Sequence, residues 1–350
     1  SGANKILTYK QPIGIAFLIT PWNFPAAMYT RKVGAALAAG CAAVLKPASE
    51  TPLTALAISK IMLEAGALPG TVSVLQTNKP GPLTDAALSD ERVGKLSFTG
   101  STGIGKMLLE KASQRVLNCS MELGGNAPFI VLDDADIDAA IDGAMLAKMR
   151  NGGQACTAAN RFFVQDKVHD EFVEKLSKRM GALKVGHGAN TETTLAPLVN
   201  RKAVSSVGEL VEDAVQKGAT QLVGGSVTQG PGCYFPATVL GNVSPEARIV
   251  KEEVFGPVVA VVKVKDEFEA LNISNKSEYG LAGYVYTKNL SRGLKVCEQL
   301  QVGMIGLNRG LVSDPSAPFG GVKQSGLGRE GGYEGIDEYL EIKYVATSDF

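Results

Sequence analysis

The chain has 350 residues, of which 45% are hydrophobic and 20% are charged, and its 35 basic and 35 acidic side chains give a formal net charge of zero. That length accommodates two domains with hydrophobic cores, and the neutral balance argues against nucleic acid as a partner. The longest apolar run, residues 33–45, is too short to span a bilayer, and residues 1–10 have no signal-peptide pattern. We therefore expect a cytoplasmic protein that binds neither membrane nor nucleic acid.

The cysteines indicate the redox state and exclude one kind of site. There are 5 of them, an odd number without CxxC spacing, which favours reduced thiols over a disulfide framework or a zinc site. The 2 histidines argue against a histidine-based catalytic triad. We expect no metal centre.

The first part of the chain alternates between strand and helix patterns. Apolar runs of strand length are followed by amphipathic segments, with glycine, proline or polar loops between them. This alternation predicts a parallel sheet and an α/β fold. The strands are predicted at 6–9, 13–20, 42–45, 72–75 and 96–98, and the helices at about 30–39, at 53–64 and from the turn at 99–106 to about 113.

The glycine-rich turn at 99–106 has two interpretations. Its glycines at 100, 103 and 105 read G-x-x-G-x-G, which departs from the usual dinucleotide fingerprint G-x-G-x-x-G. A glycine-rich turn between a strand and a helix can bind phosphate at the helix N-terminus. The alternative is an ordinary tight turn with Ser101 or Thr102 as the helix N-cap.

A second α/β domain is predicted after a strand-like segment at 115–123, which ends at Glu122 beside two glycines. Strand and helix patterns then alternate again. The further strands are predicted at 129–132, 161–165, 258–264, 281–286 and 304–307, and the helices at 136–150, 168–183 and 199–217.

Cys156 is the candidate nucleophile of this second domain. It lies in a loop of small residues between the predicted helix at 136–150 and the strand at 161–165, where Gly152 and Gly153 allow close approach of a substrate. The alternative is an inert cysteine that packs as a small buried hydrophobe.

Several motifs together are identified as those of the aldehyde dehydrogenase superfamily. They follow the family's order across nearly the whole chain, and they most resemble the NADP-using bacterial type of succinate-semialdehyde dehydrogenase. The motifs are TPWNFP at 20–25, KPASETP at 46–52, FTGS at 98–101, ELGGN at 122–126, GQAC at 153–156, EEVFGP at 252–257 and PFGGVKQSG at 318–326.

The resemblance implies a domain organisation. It assigns residues 15–122 to a Rossmann-like cofactor domain, 123–322 to a catalytic domain, and 1–14 and 323–350 to oligomerisation strands with the C-terminal return. Family members carry roughly a quarter of the usual chain before the equivalent of Ser1, so we expect the cofactor domain to be truncated. Homodimers or homotetramers are expected.

The resemblance also implies catalytic roles. Cys156 would attack the aldehyde, and the Asn23 side chain and the Cys156 backbone N–H would hold the oxyanion. Glu122 would be the general base that activates water against the thioester.

The cofactor residues are implied in the same way. The pyrophosphate would bind at Gly100 and Ser101, the adenosine ribose near Lys46 and Ser49, and the nicotinamide ribose at Glu253. Because a serine at position 49 leaves room for a 2′-phosphate that a glutamate would repel, NADP is favoured, with NAD as the alternative. The wall of the site is completed by Trp22, Leu123 and Phe255.

For the substrate, the resemblance implies that Arg31, Arg150 and Ser313 hold the far carboxylate of a semialdehyde. The alternative is that both arginines are solvated charges on helix surfaces. Other functions remain open: a dehydrogenase for another aldehyde such as glutarate semialdehyde, a cofactor-independent thiol esterase that uses the same three catalytic residues, and an inactive assembly subunit.

Overall fold

The computed structural model describes residues 5–226 and 230–348. The helices within this part are α1 (Pro25–Ala38), α2 (Pro52–Glu64), α3 (Pro80–Ser89), α4 (Thr102–Ser113), α5 (Ile137–Met149), α6 (Asp166–Gly181), α7 (Arg201–Gln216), α8 (Arg248–Lys251), α9 (Glu267–Asn275), α10 (Leu290–Gln299) and α11 (Glu334–Asp337), with a 3₁₀ turn at Arg150–Gly153.

The strands in the same part of the chain belong to two larger sheets and two pairs. They are β1 (Lys5–Pro12), β2 (Ile15–Ile19), β3 (Ala42–Lys46), β4 (Val72–Val74), β5 (Val93–Thr99), β6 (Asn118–Glu122), β7 (Ala127–Val131), β8 (Ala159–Gln165), β9 (Thr220–Val223), β10 (Thr238–Gly241), β11 (Val258–Val264), β12 (Tyr279–Gly280), β13 (Ala282–Tyr286), β14 (Met304–Leu307), β15 (Val322–Lys323), β16 (Gly326–Leu327) and β17 (Leu340–Thr347).

The chain divides into two compact units, each with its own sheet. The first unit takes its described residues from 1–123, 313–320 and 326–350, and the second unit takes them from 124–312 and 321–325. The α/β fold class predicted from the sequence is confirmed.

The sheet of the first unit has the strand order β16-β6-β5-β2-β3-β4, in which β16 is antiparallel to β6 and the other neighbours are parallel. Alternate residues of β2 point to opposite faces, as a strand requires. Ala16 and Leu18 pack with α1 on one face, and Phe17 and Ile19 pack with α4 on the other. The order reverses between β2 and β5, which makes their carboxyl ends a topological switch point.

The sheet of the second unit has the order β14-β13-β7-β8-β11-β10-β9, with only β9 antiparallel to its neighbour. The strands β13, β7, β8 and β11 lie side by side and parallel, so the segments that precede them meet at one edge. Stacked aromatic rings of Phe129, Phe162 and Tyr286 fill one face of this sheet.

The strands expected within the oligomerisation segments 1–14 and 323–350 pair with each other. They are β1 and β17, antiparallel, in register from Lys5 opposite Thr347 to Pro12 opposite Leu340. Ile6 and Ile342 are 64% and 71% exposed. Their role in oligomerisation stays a prediction.

Some predicted boundaries are wrong for identifiable reasons. The first helix begins at Pro25 rather than Thr30, because proline is well suited to the first helical position. The strand predicted from 115 begins at Asn118, because Val116 has a left-handed backbone with φ of 52°. Several elements were not predicted at all, among them α3, α9, α10, β9 and β10, since their apolar patterns are short.

Candidate active site

Most of the predicted site residues of the first unit lie at the carboxyl edge of its sheet. Parallel neighbouring strands bring their carboxyl ends to the same edge, which is where α/β sheets bind ligands. The residues that follow or end these strands are Trp22 and Asn23 after β2, Lys46 and Ser49 at and after β3, Gly100 and Ser101 after β5, and Glu122 and Leu123 at and after β6.

The turn before α4 has the geometry of an anion site. Gly100 has no room for a Cβ, which would overlap the Phe98 ring, and a Cβ at Gly105 would overlap the Leu123 side chain. Ser101 occupies the N-cap position, but its side chain accepts no capping hydrogen bond within the described residues. The Ser101 side chain therefore does not supply the cap that the tight-turn alternative assigned to it, and helix N-termini of this kind bind phosphate.

A cavity of about 420 Å³ lies beside Ser49, between the ends of β3 and β4. The Ser49 hydroxyl is exposed and donates to the Thr77 carbonyl at 3.3 Å. Partial burial lowers the pKa of Lys46, against the opposing effect of the Glu50 charge. This end of the sheet therefore combines open space, a hydroxyl and a cation.

Glu122 is held inside the first unit at the end of β6. It is 3% exposed, and its backbone carbonyl accepts a hydrogen bond from the Gly100 amide at 3.0 Å. Its carboxylate lies against Gly320, since a Cβ added to that glycine would be 2.9 Å from Glu122 Oε1. Oε2 has no hydrogen-bond partner among the residues that the structure describes. Burial raises the pKa of Glu122 well above its usual value and the neighbouring Glu330 raises it further, against the charges of Lys32, Arg31 and Arg329.

A buried ion pair stands beside Glu122 and was not predicted from the sequence. Lys32, which is 0% exposed, donates to Glu330 Oε1 at 2.6 Å and to Ser97 Oγ at 2.7 Å. A buried charge is stable only when it is paired and hydrogen-bonded. One signal could have revealed Lys32: it lies on the same face of α1 as the buried residues Met28, Tyr29, Val33 and Ala36.

Arg31 and Ser313, two of the predicted substrate residues, are in direct contact. Arg31 Nη2 donates to Ser313 Oγ at 2.6 Å, and the guanidinium lies 4.1 Å from the centre of the Phe319 ring. Both residues line a cavity of about 460 Å³ with Glu330. These contacts argue against the alternative interpretation, in which Arg31 is a solvated charge on the helix surface.

The predicted residues of the second unit lie at the amino edge of its sheet. Arg150 and Cys156 come before β8, and Glu253 and Phe255 come before the neighbouring strand β11. After α5 the backbone turns sharply, with positive φ at Asn151, Gly152 and Gly153, and a Cβ at Gly153 would overlap the Gly256 carbonyl. Glycine at 153 is therefore required for the Cys156 segment, residues 150–157, to lie against the segment before β11.

The backbone around Cys156 is fixed by two contacts. A Cβ at Gly125 would overlap the Cys156 carbonyl, and the amide of the same glycine donates to Glu253 Oε1 at 3.1 Å. On the other side, the Tyr284 hydroxyl donates to the Thr157 carbonyl at 2.8 Å. Cys156 itself is only partly buried, unlike Cys41, which is 3% exposed, so it lacks the full burial that the inert interpretation predicted.

Phe255 has an unusual backbone. Its φ is 49°, in the left-handed region that bulky residues rarely adopt. Strain of this kind is concentrated at functional sites. Gly125 and Tyr284 are further contributors to this edge that the sequence did not reveal, because they touch the segment only in three dimensions.

Residues 5–226 and 230–348 contain no group of three or more His, Cys, Asp or Glu side chains arranged to hold a metal ion. Within the same residues no helix has the length and apolar character needed to cross a membrane.

Comparison with known proteins gives a consistent result. Residues 1–345 match the aldehyde dehydrogenase family. The chain is 50% identical to a succinate-semialdehyde dehydrogenase of Paenarthrobacter nicotinovorans, covering 99% of this chain and 77% of that protein. It is 51% identical to a glutarate-semialdehyde dehydrogenase of Pseudomonas putida, covering 98% and 71%. The crystal structure of an NADP-dependent enzyme of E. coli superposes with a TM-score of 0.97 at 48% identity, covering 99% and 72%.

The buried Glu122 predicts a stability that depends on pH. Because its pKa is raised on folding, the folded protein binds a proton that the unfolded chain releases between about pH 4.3 and the raised pKa, so stability is lost as pH rises through this window. Glu122→Gln should remove that loss, about 1.4 kcal/mol for each pH unit of the window. Denaturant unfolding at about pH 5 and about pH 8 measures it.

The exposed Glu110→Gln on α4 is the control and should give no pH-dependent difference. A stability difference between Glu122→Gln and the parent chain that stays constant with pH would contradict the burial argument.

Proposed function

We propose that this chain, which belongs to the aldehyde dehydrogenase family, oxidises a small aldehyde with a carboxylate at its far end, succinate semialdehyde being the favoured substrate. Glutarate semialdehyde is the alternative, because a relative with that name is as similar as the succinate-semialdehyde relative. Residues 15–122 are proposed as the cofactor domain and 123–322 as the catalytic domain.

The proposed chemistry begins at Cys156. Its thiolate attacks the aldehyde carbon to give a thiohemiacetal, and the Cys156 N–H and the Asn23 amide are assigned to the oxyanion. The Gly125 and Tyr284 contacts hold the backbone on either side of the sulfur, which lowers the cost of reaching the reactive geometry. When bound, the dinucleotide accepts a hydride, so that the adduct on Cys156 becomes a thioester.

Glu122 is the proposed base for hydrolysis of that thioester. A general base acts best with a pKa near the working pH, and burial next to Glu330 moves the carboxyl of Glu122 in that direction. The observation that carries the proposal is this carboxylate, which is buried with one oxygen unpaired among the described residues while the nearby Lys32 is engaged by Glu330.

The nicotinamide cofactor is proposed to be NADP. The start of α4, where the Ser101 side chain makes no capping bond, suits a pyrophosphate, and the cavity beside Ser49 suits a 2′-phosphate with Lys46 close in sequence. Glu253 is the proposed partner of the nicotinamide ribose, with Trp22, Leu123 and Phe255 around it.

The direct test is oxidation of succinate semialdehyde with NADP, followed by the absorbance of NADPH. Cys156→Ala should abolish acid formation and keep NADP binding, and Glu122→Gln should release about one NADPH per site before turnover stalls, because thioester hydrolysis is blocked. Ester hydrolysis without NADP and without aldehyde oxidation would favour the thiol esterase instead. Loss of both activities in the unmodified chain would favour an assembly role.

If the arginines bind the substrate carboxylate, removing either should lower kcat/KM selectively for the aldehyde that carries a carboxylate. Arg31→Met should lower kcat/KM for succinate semialdehyde at least tenfold, because a hydrogen bond to a carboxylate is worth about 1.5 to 3 kcal/mol, and Arg150→Met should act likewise. Butanal, which has no carboxylate, should be affected little. The control variant is the exposed Arg179→Met on α6. Equal losses for both aldehydes would mean that the arginines support the fold.

The cofactor proposal predicts a change of preference. Ser49→Glu should weaken NADP at least tenfold relative to NAD, about 1.4 kcal/mol, because it places a negative charge beside the 2′-phosphate. Dissociation constants of both dinucleotides measure this, and the neighbouring exposed Glu50→Gln serves as a charge control. An unchanged ratio would place the phosphate elsewhere.

A further inference from the structure

Lys148 is a buried cation at the base of the Cys156 segment, and no step proposed above uses it. It lies in the last turn of α5, is 1% exposed, and shares the buried face of the helix with Ile137, Ile141 and Ala144. Its ammonium donates to Asn160 Oδ1 at 2.8 Å. Asn160 is the second residue of β8, so this one bond closes the span of 12 residues that contains Cys156.

The stem of Lys148 also touches the middle of that span. A Cβ at Gly153 would lie 3.3 Å from Lys148 Cε, and it would overlap the Gly256 carbonyl. Lys148 thus packs under Gly153, beside the segment 253–256. The end of α5, the Cys156 segment, the start of β8 and the segment of Glu253 all meet around this one side chain.

The charge of Lys148 needs a partner that Asn160 cannot provide. An ammonium has three donors and a full charge, and a neutral amide oxygen satisfies one donor without compensating the charge. The charge of Glu253 raises the pKa of Lys148, and the charge of Lys148 lowers the pKa of Glu253, in each case against the larger effect of burial. Glu253 is in turn held by the Gly125 amide, on the residue that packs against the Cys156 carbonyl.

We propose that Lys148 is a positioning residue that sets the charge of Glu253 and, through Asn160, the conformation of the Cys156 segment, so that dinucleotide binding and nucleophile placement depend on one buried ammonium. The inference rests on the proposed function, in which Glu253 binds the nicotinamide ribose. It concerns residues of the second unit alone.

The titration of Lys148 and Glu253 should make dinucleotide binding depend on pH. Burial lowers the pKa of Lys148 to about 7 and raises that of Glu253 to about 7, each opposed by the charge of the other. Tyr279 also faces Glu253, but burial raises its pKa to about 12, so it stays neutral; Gly125, Asn160 and Gly256 carry no charge.

A ribose hydroxyl donates to a carboxylate, so binding is lost as pH falls through the pKa of Glu253. Because the Lys148 charge lowers that pKa, removing the charge moves the loss of binding to higher pH.

The test is NADP binding to the full chain without aldehyde, followed by Trp22 fluorescence or calorimetry between about pH 6 and about pH 9. The unmodified protein should lose affinity as pH falls below about 7. Lys148→Met, which keeps the unbranched stem, should weaken binding about tenfold at neutral pH and move the midpoint up by about one pH unit. Asn160→Leu keeps the charge and should leave the midpoint in place.

A second readout follows the Cys156 segment by its rate of alkylation with iodoacetamide in the free protein. Lys148→Met and Asn160→Leu should both change this rate severalfold, because both open the bond that closes the span. The exposed Lys178→Met on α6 should change neither the rate nor the binding midpoint. A role in folding alone would lower the melting temperature of Lys148→Met without moving the binding midpoint, and that result would overturn the inference.

The outcomes separate this inference from the proposed function. Binding by the unmodified chain whose affinity is flat between about pH 6 and about pH 8 would overturn the inference alone, even if Lys148→Met failed to fold. Normal semialdehyde oxidation with an unchanged midpoint in Lys148→Met would do the same. Absence of NADP binding by the unmodified chain would overturn the proposed function and the inference with it.

Discussion

The cost of burying charge is the constraint on which the candidate site residues of each unit depend. In the first unit three ionisable groups are buried together, two carboxylates and one ammonium, so the cluster cannot be neutral with all three ionised. Lys32 is committed to Glu330 at 2.6 Å and to Ser97. Burial is the largest effect that favours the protonated form of Glu122, the charge of Glu330 adds to it, and the charges of Lys32, Arg31 and Arg329 oppose it. Because its pKa is raised, Glu122 is a stronger base than an exposed carboxylate.

In the second unit the buried lysine has a different kind of partner. Lys148 bonds to a neutral amide oxygen, and its charge opposes, together with the Gly125 amide, the effect of burial on the pKa of Glu253. The nearest opposite charge lowers the pKa of a carboxyl, whereas burial alone raises it. Lys32 and Lys148 are equally buried, but Lys32 bonds to a carboxylate and Lys148 bonds to an amide oxygen.

Sequence patterns predicted much of the fold because the alternation of strands and helices is local. The strands β2, β3 and β11 and the helices α2, α5 and α6 lie close to their predicted ranges, since each combines a regular apolar period with a turn or proline boundary. The positions of Cys156 and Glu122 at the ends of elements followed from the same patterns. Short elements such as β9 and α9 have too few residues to display a period.

The charge partners could not be predicted, because they are distant in sequence. Lys32 and Glu330 are separated by 298 residues, and Arg31 and Ser313 by 282. A lysine in an apolar helical stripe has two interpretations, a long side chain whose amine reaches solvent or a buried cation with a partner, and the stripe alone does not separate them. The partner of Lys32 is known only from the fold, in which the C-terminal segment that carries Glu330 belongs to the first unit.

The two carboxylates place opposite demands on the protein. As the proposed general base, Glu122 must take up a proton near the working pH, whereas a carboxylate that accepts from ribose hydroxyls must stay ionised. Glu122 is buried and Glu253 is partly buried, and desolvation pushes both toward the protonated form. In each unit the charge of a lysine opposes this effect, and the two lysines differ in their partners, since Lys32 bonds to Glu330 Oε1 and Lys148 bonds to Asn160 Oδ1.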